Sequence, residues 1–80
     1  MVARRADWKA AAAVRYESGE EAPRVVASGH GFVAKKIIAL AEEYGVKSHE
    51  DPDLVQVLAE LDIGSVIPPE IYQVVAEVLV

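Results

Sequence analysis

The chain has 80 residues, a hydrophobic fraction of 52%, no cysteine and a formal net charge of −5 at pH 7. That length allows one domain with a modest core, and the apolar content argues against disorder. The missing cysteines exclude disulfides and thiolate chemistry, the acidic balance is the wrong sign for a nucleic-acid binder, and no apolar run reaches the ~20 residues of a membrane span.

Residues 1–9 (MVARRADWK) are basic and unpatterned, with no apolar segment resembling a signal peptide. They are read as a flexible N-terminus ahead of a domain at 10–80. Residues 10–16, AAAAVRY, are ambiguous. Alanine favours helix, but the run is stopped at once by the loop at 17–23, and a helix so short is marginal. A small-residue strand beneath the helices is the competing reading, and propensity does not separate the two.

The stretch 24–50 reads as strand, helix, strand, the minimal parallel unit with a right-handed crossover. Val25 and Val26 begin it, Gly29 and Gly31 flank the helix start, and Gly45 stands where a left-handed cap belongs. Val33, Ile37, Leu40, Ala41 and Tyr44 share one helix face, the expected buried stripe. Phe32, Lys35 and Lys36 fall on the opposite, polar side with Glu42 and Glu43. Those charges run against the helix dipole, which prefers acids first and bases last. This face reads either as solvated or as shaped for a partner.

Further on, Asp51 is a natural N-cap with Pro52 at the first helical position and Asp53 behind it. Leu54, Val57, Leu58 and Leu61 form the stripe of this helix. The last helix starts near Pro69, with Ile71, Val74, Val75, Val78 and Leu79 on its apolar face. The fold expected is α/β: a small mixed sheet of about three strands (10–16, 24–28 and 46–49, the first two antiparallel) with three packed helices (31–44, 52–61 and 69–79).

Chemistry is sparse. His30 and His49 are the only histidines, and without two further convergent ligands they read as ordinary surface residues. The Gly29-His30-Gly31 turn lacks the lysine and serine of a phosphate loop and the third glycine of a dinucleotide site. The serines have no base at a recognisable spacing. No catalytic, metal or cofactor residue is assigned.

Three stretches carry a resemblance. They are AAVRY at 12–16 followed by an acidic loop and PRVVASG at 23–29; IIALAEEYGVKSHEDP at 37–52; and Ile63-Gly64 followed by IPPEIYQVVAEVL at 67–79. Together the chain resembles the cytoplasmic C-terminal domain of the FlhB/YscU-type export-switch proteins of flagellar and type III secretion. The resemblance covers about residues 10–80 and implies that 10–16 is a strand.

Two departures qualify it. The family's members carry a membrane domain ahead of this one, and an Asn-Pro-Thr-His motif just before the first matching strand, at which the chain cuts itself by attack of the asparagine side-chain nitrogen on its own carbonyl carbon. Here those positions hold Ala6, Asp7, Trp8 and Lys9, and the chain has no asparagine at all. The resemblance thus implies a stand-alone, non-cleaving relative and not an enzyme: a cytoplasmic binding module, peripheral at the export gate. Its implied partners are a membrane-anchored export component, export substrates or chaperones. A generic cytoplasmic adaptor sharing only the fold is the alternative. Because the chain starts close to the family's cleavage point, the sheet is expected to lack its upstream strand and to offer an open edge. Trp8, Lys9, Phe32, Lys35 and Lys36 are the candidate partner-binding residues.

Overall fold

The computed structural model describes the backbone of residues 1–5, 7, 9–17, 19 and 22–79, and the side chains of these up to Val75. In chain order the elements are β1 (Val2–Arg4), β2 (Ala10–Arg15), β3 (Arg24–His30), α1 (Phe32–Glu43), β4 (Ser48–Glu50), α2 (Pro52–Ala59) and α3 (Pro69–Leu79). The strands form one mixed sheet in the order β3-β2-β1-β4. β2 is antiparallel to both β1 and β3, and β1 is parallel to β4. The class is the α/β one expected, with four strands instead of three. β3 and β4 do run in the same direction, but two strands separate them.

The added strand seats Val2–Arg4, which the sequence reading places in a flexible N-terminus, in the sheet. Val2 and Ala3 are fully buried. The Val2 N–H donates to the Lys47 carbonyl at 2.8 Å, and the Asp51 N–H to the Arg4 carbonyl at 3.0 Å. Met1 is tied down as well: its amine donates to the Val14 carbonyl at 2.9 Å, and the Val14 N–H donates to the Met1 carbonyl at 2.9 Å. Burial pushes the Met1 amine below its ordinary pKa. Three residues are too few to show a period-two pattern; this strand is specified by neighbours on both sides. It fills the position expected to be open, so the sheet has no missing interior strand, and docking by strand addition there is ruled out.

β2 settles the alanine run as strand. Alternate residues serve opposite faces: Ala10, Ala12 and Val14 join one apolar cluster, while Ala11 and Ala13 join the other. Burial on both faces overrides helix propensity, and methyl-sized side chains let both helical layers come close. α2 and α3 cover the first face through Leu54, Val55, Leu58, Ile71 and Val75. α1 covers the second through Ala34, Ile38 and Ala41.

The helices are where the sequence places them, but their phases differ. In α1 the buried residues are Ala34, Ile38 and Ala41, whereas Val33, Leu40 and Tyr44 are substantially exposed and Ile37 is half-buried. In α2 Val55 is buried and Val57 is not. In α3 Val75 is buried and Val74 is half-exposed, while the side chains of Val78 and Leu79 lie outside the described residues.

The caps follow the sequence closely. Gly45 takes φ 69 after α1, with Val46 N–H donating to the Ala41 carbonyl (2.8 Å) and Gly45 N–H to that of Glu42 (3.3 Å). That is the Schellman arrangement. At the start of α2 the Asp51 carboxylate accepts from the Leu54 N–H at 3.0 Å. Asp51→Ala is expected to cost about 0.5–2 kcal/mol in a denaturant titration, with Asp51→Ser recovering most of it.

Candidate functional site

Two surface regions stand out, one at each end of the sheet. The first is the turn between β1 and β2. Arg5 and Asp7 form an ion pair at 3.1 Å. The other Asp7 oxygen accepts from the Lys9 N–H at 3.1 Å, and the Arg5 N–H donates to the Ala10 carbonyl at 3.1 Å. The Lys9 carbonyl in turn accepts from the Gly31 N–H at 2.9 Å, which pins this turn to the start of α1.

That last bond gathers several of the sequence candidates. Lys9 lies against the entry to α1, where Phe32 is 81% exposed and Lys35 and Lys36 are exposed one turn on. Trp8 lies outside the described residues. On the α2 side of the same end, Arg5, His30, Asp53, Gln56 and Glu60 share the lining of a mixed polar and apolar cleft of about 460 Å³ with Val55 and Ala59. The histidines do not converge: His30 ends β3 and His49 is in β4, at opposite edges of the sheet. Three strand spacings and a two-residue offset in register put them more than about 14 Å apart. Among the described residues no three His, Asp or Glu side chains are grouped to hold a metal. Replacing both histidines with alanine is therefore expected to leave partner binding in a co-purification assay and the melting temperature essentially unchanged.

The second region was not anticipated. An apolar groove of about 480 Å³ runs beside the C-terminal half of α1, floored by Ala13, Val26 and Ala27 and walled by Leu40, Tyr44 and Val46. Tyr16 closes one end, and its hydroxyl meets that of Tyr72 on α3, a hydrogen bond that pushes the Tyr72 phenol above its usual pKa. The sequence signal was present in α1, which has more large apolar residues than one buried stripe needs.

Comparison with known proteins places this arrangement. The family described as FlhB HrpN YscU SpaS matches residues 8–80. YlqH of Bacillus subtilis, itself uncharacterized, is 42% identical over 69 residues, which are 85% of this chain and 74% of that protein. The flagellar biosynthetic protein FlhB of Salmonella typhimurium is 39% identical over 69 residues, 84% of this chain but 18% of its own length. The chain thus spans less than a fifth of that FlhB. Among solved structures, the cytoplasmic domain of FlhB from Shewanella putrefaciens superposes with a TM-score of 0.89 at 30% identity, covering 98% of this chain and 65% of that one. The EscU C-terminal domain gives 0.88 at 29% identity, over 95% and 76%. Among the described residues no helix is long and apolar enough to cross a membrane. By sequence match over nearly its whole length and by fold, the chain belongs to the FlhB HrpN YscU SpaS family.

Proposed function

We propose that this chain is a non-enzymatic binding module of the flagellar and type III export apparatus, a counterpart of the cytoplasmic switch domain that functions uncut. The observation that carries the reading is the β1–β2 hairpin. Both of its strands are seated in the sheet, and its turn is closed by Arg5, Asp7 and Lys9 where the family's cleavage motif would lie. With no asparagine in the sequence, the ring-closing attack has no nucleophile. The hairpin therefore keeps one covalent state, and the surface beside it keeps one shape.

That surface, with Lys9, Phe32, Lys35 and Lys36 around the start of α1, is the contact for export proteins, with Trp8, next to Lys9 in sequence, as a further candidate. An exposed aromatic ringed by cations suits a partner presenting an apolar anchor among acidic residues. The partner is a membrane-anchored export component, or a substrate or chaperone delivered to it, and the module works at the cytoplasmic side of the gate.

The test is co-expression with export components in cells whose membrane-anchored switch protein lacks its own C-terminal domain. Recovery of secreted flagellar subunits and co-purification, both reduced by Phe32→Ala with Lys35→Glu, is the expected result. Folded protein that neither co-purifies with any export component nor changes secretion would overturn the reading in favour of an adaptor that shares only the fold.

A further inference from the structure

The start of α1 lacks the means by which a helix end holds itself. The first N–H groups of a helix have no intrahelical partners, and a side-chain cap or an early acid steadies them. α1 has neither: its N-cap is Gly31, no side chain caps it by a hydrogen bond, and the first turn contains no acid. Lys35 and Lys36 follow instead, at the end of the helix dipole that disfavours cations. Gly31, at φ 58 and ψ −124, adds a backbone with few restraints of its own. Alone, this end should fray. It also carries Phe32, Lys35 and Lys36, so fraying would scatter the contact surface proposed above.

What holds the end comes from the β1–β2 turn. The Gly31 N–H donates to the Lys9 carbonyl at 2.9 Å, and the Lys35 N–H to the Gly31 carbonyl at 3.1 Å. Lys9 is fixed from behind in turn. Its N–H donates to one Asp7 carboxylate oxygen at 3.1 Å, while the Arg5 guanidinium donates to the other at 3.1 Å. Arg5 is itself seated by its N–H on the Ala10 carbonyl at 3.1 Å. These bonds run in one chain from Arg5 through Asp7, Lys9 and Gly31 to Lys35. Asp7 is the only side-chain acceptor in that chain, and both of its oxygens are used.

We propose that Asp7 is a positioning residue for the contact surface at the start of α1, acting from the neighbouring hairpin as an N-cap acts from within a helix. Its part is indirect. It fixes the Lys9 backbone, Lys9 fixes Gly31, and Gly31 sets the direction in which Phe32, Lys35 and Lys36 leave the sheet. The consequence for binding rests on the contact reading above; the positioning does not, and it is measured without a partner.

Amide hydrogen exchange of the purified chain, followed by NMR, tests this. Asp7→Ala should speed exchange at Gly31 and Lys35 on the order of tenfold, the size of one lost hydrogen-bond contribution. The amides of Val25 and Leu54, which are held elsewhere in the fold, should be unchanged. Asp7→Asn keeps an oxygen for the Lys9 N–H and should stay within about threefold of the parent. Lys9→Ala removes a side chain but no backbone bond and should leave the exchange at Gly31 as it was. In co-purification with export components, Asp7→Ala should weaken recovery and Asp7→Asn should restore it. Unchanged exchange at Gly31 and Lys35 in Asp7→Ala overturns the proposal. So does a rise spread evenly over the domain, which would make Asp7 a general stabiliser. Recovery that Phe32→Ala with Lys35→Glu abolishes but Asp7→Ala leaves intact overturns its bearing on the contact. If nothing co-purifies with the parent chain, the contact reading fails, and the exchange result still decides the positioning.

Discussion

Ile38→Ala lowers the unfolding free energy by about 2–5 kcal/mol, read from urea titration of dilute protein. Ile38 is 1% exposed and is the largest buried side chain between α1 and the sheet. Its buried neighbours there are Val2, Ala11, Ala34 and Ala41. Alanine methyl groups are too short to reach into the space that truncation leaves, so the cavity persists and the cost falls in the upper part of that range. For a domain of this size, with a total stability on the order of 4–12 kcal/mol, the loss is a large share. Leu40→Ala is the control. Leu40 is 45% exposed, and in monomeric protein its truncation should cost less than about 1 kcal/mol. Equal losses at the two positions would mean that α1 is turned about its axis relative to the structure.

Gly29→Ala is expected to cost about 1–3 kcal/mol, with Val33→Ala in the same chain recovering only the part due to the valine methyl groups, because the alanine keeps its Cβ. A Cβ added at Gly29, near the end of β3, would come within 2.7 Å of the Val33 Cβ and closer still to one of its methyl groups. Val33 sits on the first turn of α1 and cannot withdraw without moving the helix, because Gly31 between the two fixes a tight turn at φ 58, ψ −124. Val33 itself is half exposed, so Val33→Ala alone should cost little. A double-mutant cycle with no coupling between the two positions would show that the glycine serves only the backbone.

How much was legible differs by level. The caps were legible because they are local: Asp51-Pro52 and Tyr44-Gly45-Val46 fix their turns through their own backbone bonds. The phase of α1 was not. Periodicity weighs residue size, and Val33, Ile37, Leu40 and Tyr44 outweigh Ala34, Ile38 and Ala41. Yet the sheet selects the stripe that is small enough to let the helix approach. β2 needed the resemblance, since the alanine preference for helix is defeated only by two layers that a single sequence does not display. β1 escaped because three residues carry no period and their partners in β4 lie more than forty positions away. At the surface, the polar face of α1 was visible as charge. The groove beside it was not, because its floor comes from β2 and β3 and its walls from α1 and the loop after it.

The same long separation bears on the order in which the molecule opens. β1, β2 and β3 form a meander of local hairpins. β4 is three exposed residues with one neighbour, and joining them to β1 closes a loop of more than forty residues. Such a strand should be the last to dock and the first to detach. In hydrogen–deuterium exchange, the amides that hold β4 to β1 should lose protection through a partial opening well before those of the β1–β2 hairpin, which should exchange only on global unfolding.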